Sequence, residues 1–133
     1  MNAIKFQSRM LLLQKLFLIQ LVMIDLKTCS LKEFQQLIEN EQALLIYFYN
    51  DNCAPCLSLR PKVLELVKEK FPKLKMVLSN SHTQPEVSAY YSAFNNPTLI
   101  LFFEGNEYKR ESKYISIPQL EQTIERPYNM LFS

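Results

Sequence analysis

From residue 30 onward the spacing of apolar positions changes several times, and each change predicts an element. "SLKEFQQLIEN" carries Leu31, Phe34, Leu37 and Ile38 on one helical face. Ser30 and Glu33 precede them at capping-box spacing, so hydroxyl and carboxylate can satisfy the first free amides reciprocally. "ALLIYFY" (43–49) is apolar without interruption and too short for a helix, which predicts a strand buried on both faces. Helical spacing returns over 54–70 through Leu57, Val63, Leu64, Val67 and then Phe71. Pro55 suits the first turn, where its missing amide costs nothing, whereas Pro61 lies deeper and is expected to kink the helix.

A second buried strand is predicted over 73–79 ("KLKMVLS") and a short helix over 84–94 ("QPEVSAYYSAF"). "TLILFF" (98–103), "EGNE" and "YKRESKY" predict a β-hairpin turning at Gly105 and Asn106. Ser116 then caps "IPQLEQTIE", with Gln119 at capping-box spacing and Pro118 in the first turn; Pro127 is expected to stop it. Two strands joined by a helical crossover pair in parallel with a right-handed connection. Adding the hairpin predicts an α/β fold: a central mixed β-sheet flanked by helices on both faces.

Composition narrows the function. The chain has 133 residues, nearly half of them hydrophobic, and a net charge of +2. That size supports one compact core, and the small charge, with no basic run longer than a pair, argues against nucleic-acid binding. Gly105 is the only glycine, so no glycine-rich loop can cradle a phosphate. Residues 1–22 read as a separate apolar and basic extension, either a packed helix or the product of an upstream start, with 23–133 as the domain. Lys5, Arg9 and Lys15 are the extension's only charges, so the basic excess of the chain resides there. The stretch loosely resembles an export signal, but Gln14, Lys15 and Gln20 interrupt it and no small-residue cleavage site follows. Leu26 stands three before Cys29, as in a lipoprotein signal, with Lys27 a poor fit. The uncharged run is too short for a stable membrane span. Three cysteines, one close pair and one spare, fit a reducing compartment better than a disulfide framework. Cytoplasmic residence is the expectation, with export or anchoring through 1–29 as the alternative.

The close pair, Cys53 and Cys56 in "NDNCAPCLSL", can be read as a redox couple, part of a metal site or two small core residues. Zinc needs about four ligands, and neither Cys29 nor the lone His82 completes a recognisable spacing, so no metal or bound cofactor is expected. Free cysteine is often buried as a small hydrophobe, which is also the simpler reading of Cys29. His82, in a loop with no fixed spacing to the pair, reads as solvent-exposed. A CxxC between strand and helix favours the redox reading. Free amides at the helix start stabilise a Cys53 thiolate, the attacking species in disulfide exchange.

From about Met23 to Ser133 the chain resembles the thioredoxin superfamily. "CAPC" looks like its redox motif, and Pro61 falls five residues after Cys56, where that family kinks its active-site helix. "NPTLILFFEGNE" looks like its cis-proline segment, with Pro97 as the cis residue. The resemblance implies a thiol–disulfide oxidoreductase in which Cys53 attacks and Cys56 resolves. It implies a substrate groove formed by Asn52, Ala54, Pro55, Asn96, Pro97 and Thr98. Protein disulfides would be the substrates, and a partner reductase would supply electrons. Asn52 stands where the family usually has tryptophan, and Leu57 where a charged residue is common. Tyr47 occupies the place of a buried aspartate that helps accept the second cysteine's proton, and Asn96 replaces an aliphatic residue. These departures keep an alternative open: a redox-inert adaptor or chaperone-like binding module on the same fold.

Overall fold

The structure, a computed structural model, describes residues 23–25 and 29–133. The readings of the extension, of an alternative start at Met23 and of a lipoprotein-like signal fall largely outside them. The elements run β1 (Met23–Asp25), α1 (Leu31–Asn40), β2 (Ala43–Tyr49), α2 (Ala54–Lys70), β3 (Lys75–Asn80), α3 (Pro85–Tyr90), β4 (Thr98–Phe103), β5 (Asn106–Ser112) and α4 (Ile117–Phe132). The sheet order is β1-β3-β2-β4-β5. β1, β3 and β2 pair in parallel, while β4 runs antiparallel to β2 and β5 antiparallel to β4. This is the mixed sheet expected from the element order, with β1 as an added edge strand.

Strand alternation divides the core into two layers. Leu45, Tyr47 and Tyr49 of β2, Met76 and Leu78 of β3, and Leu99 and Leu101 of β4 face one way, toward Val63, Val67, Leu120 and Ile124. Those four belong to α2 and α4. Leu44, Ile46 and Phe48, with Val77, Ile100 and Phe102, face Phe34 and Ile38 of α1 and Val87 of α3. The central strand is therefore buried along its whole length. Covering both faces leaves only the strand ends and edges for solvent. β5, the outer edge, is mostly exposed and carries Glu107, Lys109, Arg110 and Glu111, charges that discourage edge-to-edge pairing.

Local boundaries shift for identifiable reasons. Ser30 Oγ accepts from Glu33 N–H at 3.2 Å, but Glu33's carboxylate lies beside the Cys29 thiol and helps raise its pKa, after burial. The hairpin turns at Glu104 and Gly105 rather than at Gly105 and Asn106. Both central residues have positive φ (52° and 80°), as a two-residue type I′ turn requires. Register slips by one between Leu101 and Phe102, leaving Tyr108 as the extra residue of a bulge. α3 ends at Tyr90, with Ser92 at a φ of 53°. Pro127 does not stop the last helix: α4 runs through it to Phe132. Tyr128 is buried there, packs edge-on against Phe71 at 5.1 Å, and its hydroxyl accepts from Lys73 N–H at 3.0 Å.

Candidate functional site

β2 ends at Tyr49, and four residues later the chain turns into α2 with Cys53 as its N-cap. Asn50 shapes the turn: its side-chain oxygen accepts from Asn52 N–H at 3.0 Å, and its carbonyl accepts from Cys53 N–H at 3.4 Å. Cys53 caps through sulfur, with Cys56 N–H directed at its Sγ at 3.2 Å. Pro55 lies in the first turn, where it leaves that amide undisturbed. Cys53 and Cys56 are joined by a disulfide, their Cα atoms 5.3 Å apart. Cys53 is partly exposed and Cys56 fully buried, so one sulfur faces visitors and the other faces the core. A thiolate at Cys53 in the reduced protein would meet an amide donor and the positive end of a 17-residue helix.

Asn96 and the buried Pro97, joined by a cis peptide, enter β4 on the other side of two clefts. The first, of about 390 Å³ and mainly apolar, is bordered by Pro55, Ser58, Leu59, Pro97, Tyr114 and Ile115, with Lys113 and Ser116 adding polar groups. Tyr114 is 96% exposed at its rim. The second, of about 480 Å³, is lined by Asn50, Asp51, Asn52, Ser81, His82 and Asn96. Its walls are cross-linked: Ser81 Oγ donates to Asn96 Oδ1 at 3.0 Å, and Asn80 Nδ2 to Asp51 Oδ2 at 3.2 Å. The disulfide helix thus stands between an apolar cleft and a polar one.

The resemblance-implied residues divide accordingly. Asn52 and Asn96 share the polar cleft, and Pro55 and Pro97 the apolar one. Ala54 is exposed at the first helical position. Thr98 is buried, and its hydroxyl donates to the Asn95 carbonyl at 2.5 Å, which ties down the entry to β4. His82 is exposed, as its loop position suggested, but it also borders the polar cleft. Cys29 is partly buried against the α1–α3 layer. No group of His, Cys, Asp or Glu among the described residues is arranged to hold a metal.

Two residues beneath the disulfide complete the site. Tyr47 is fully buried and its hydroxyl donates to the Cys56 carbonyl at 2.7 Å. Burial pushes its pKa up to about 12, against a smaller opposing pull from Arg60. Arg60 was not singled out by motif, although its place four residues after Cys56 puts it on the same helical face. Its guanidinium lies over the Tyr49 ring, 4.2 Å from the centroid. Other cleft residues also escaped the sequence reading: Ser58, Leu59, Tyr114 and Ile115 come together because the α4 approach folds back beside α2, and Asn50, Asp51 and Ser81 meet across the polar cleft, contacts with no local signal.

The profile of the family described as Thioredoxin matches residues 25–126. The chain belongs to the thioredoxin family. It is 32% identical over 101 residues to the thioredoxin-like protein YdfQ of Bacillus subtilis, covering 76% of this chain and 89% of that protein. Thioredoxin 1 of Nostoc sp. is 27% identical over 92 residues, covering 69% and 86%. Among solved structures, oxidized mitochondrial thioredoxin 3 of Saccharomyces cerevisiae superposes with a TM-score of 0.67 at 25% identity, covering 77% of this chain and 93% of that one. Thioredoxin O2 of Arabidopsis thaliana, also oxidized, gives 0.70 at 21% identity, a likeness of fold. With a cysteine pair at bonding distance in the family's fold, the protein is a thiol–disulfide oxidoreductase in general character. No helix among the described residues is long and apolar enough to cross a membrane.

Proposed function

We propose that the protein exchanges its Cys53–Cys56 couple with disulfides of protein substrates, Cys53 attacking and Cys56 resolving. The asymmetry of the pair carries this reading: a partly exposed sulfur under an amide donor, followed by a buried one. The Cys53 thiolate attacks one substrate sulfur, forming a mixed disulfide and expelling the other as a thiolate. Cys56, deprotonated, attacks Cys53 Sγ; the internal disulfide closes and the second substrate thiolate leaves. The two released thiolates take up protons, and a partner reductase returns two electrons to the couple. Asn52, Pro55, Asn96 and Pro97 border the docking clefts, with Ala54 beside them and Thr98 anchoring the opposite wall. The cysteine usage supports a cytoplasmic protein.

With dithiothreitol as electron source, Cys53→Ser is expected to abolish insulin-disulfide reduction. Cys56→Ser is expected to accumulate mixed disulfides that dithiothreitol releases. Full activity in both variants would sink the mechanism. Tyr47 in place of a carboxylate favours a second reading, a redox-inert binding module. Titration against glutathione buffers separates the two, since a module need not interconvert within the biological range.

A further inference from the structure

The couple's helix carries a half-buried arginine, Arg60, two of whose three guanidinium nitrogens are cut off from solvent. Arg60 Nε and Nη2 are both shielded from solvent, and neither has a hydrogen-bond partner. No ion pair to Arg60 is found among the described residues. Shielding two charged N–H groups without a partner is costly, and the Tyr49 π-face offsets only part of that cost. Side chains on a helix lean toward its N-terminus, which here is the end bearing the cysteines. Residues 56 and 60 are one turn apart on one face, and Tyr49 lies at the end of β2 that leads to Cys53. The guanidinium thus lies against Tyr49, a member of the layer that buries Cys56, on the helical face that Cys56 shares.

We propose that Arg60 is the electrostatic partner of the resolving sulfur: its fixed positive charge stabilises the Cys56 thiolate during release of the mixed disulfide. This rests on the exchange reaction proposed above. The surroundings leave few rivals. α2 contributes the couple's own residues, with Arg60 reaching Tyr49 and acting on Tyr47, and β2 contributes those two phenols. β3 and β4 present Met76, Leu78, Leu99 and Leu101, and α4 presents Tyr128, which is tied to Lys73 at the other end of the layer. No carboxylate is buried among the described residues. Where a buried carboxylate would accept the Cys56 proton, a permanent cation instead lowers the free energy of the sulfur once the proton has left for solvent. The electron pair stays on Cys56 and forms the bond to Cys53 Sγ, while the substrate sulfur departs with the pair of the broken bond.

The test is a titration without turnover. In full-length protein carrying Cys29→Ser and Cys53→Ser, Cys56 is the single thiol, and its ¹³Cβ shift reports ionisation. Arg60→Met, which keeps the aliphatic stem, is expected to weaken the acidity of Cys56 about tenfold. Arg60→Gln should do the same, and Arg60→Lys should restore most of the acidity. Methyl spectra matching the parent show that each variant is folded. An unchanged midpoint in a folded Arg60→Met or Arg60→Gln protein overturns the proposal. So does a midpoint raised equally by Arg60→Lys, which would assign the effect to packing rather than charge. No substrate enters the measurement, so failure of insulin reduction and failure of the Arg60 assignment are read separately.

Discussion

Tyr47 shows how one side chain constrains the chemistry above it. Its phenol is sealed in the layer beneath α2 and is committed as a donor to the Cys56 carbonyl. With a pKa pushed up to about 12, it stays neutral where a thiol near about 8.5 ionises. A neutral phenol positions the helix but takes no proton from Cys56. Tyr47→Phe keeps the ring and removes the donor, so it should cost about 0.5–1.5 kcal/mol. A lower urea midpoint at unchanged m-value would show that cost. The pH profile of insulin reduction below about pH 9 should keep its shape; a moved inflection would mean that the phenol takes part in proton transfer.

Among the elements, α4 departs most from its local rules. Pro127 removes a helical donor, a change that disfavours a helix interior by about 3 kcal/mol, yet the helix continues for five residues to Phe132. Tyr128 overrides the proline through its ring contacts with Phe71 and Phe132 and its bond from Lys73. Tyr128→Ala should therefore destabilise the fold by about 3–5 kcal/mol. Amides beyond Pro127 should exchange with deuterium much faster than those of 119–125. Equal protection of both segments would show that α4 is held by something else. The same contrast explains what the sequence discloses. β2 was legible because seven consecutive apolar residues admit little else, and the serine caps of α1 and α4 are local chemistry. β1 was not legible: three residues carry no period, and its pairing with Met76–Leu78 is made across some fifty positions of chain. In the site, the cysteine pair announced itself, while Arg60 and the cleft walls depended on packing partners distant in sequence.

For the molecule as a whole, the two-layer core that supports the couple also sets its response to alkali. Two phenols on opposite faces of the sheet, Tyr47 and Tyr91, are raised by burial to about 12 from an ordinary 10. Both are uncharged when protonated, so a raised folded pKa means that the native state holds its proton where the unfolded chain has lost it. Stability from these groups is complete below pH 10, falls as pH rises from 10 toward about 12, and levels off beyond. The slope from Tyr47 approaches about 1.4 kcal/mol per pH unit within that window. Lys70 beside Glu121 contributes in the same direction, because its ammonium is also held above its usual range by that carboxylate. Difference measurements remove this background. Urea midpoints of wild type and Tyr47→Phe should run parallel from pH 7 to 9, then approach and cross between 10 and 12, because the alkaline loss from Tyr47 in that window exceeds the hydrogen bond that the variant lacks. Parallel curves throughout would show that the phenol ionises alike in the folded and unfolded chain, which is incompatible with its sealed position under Cys56.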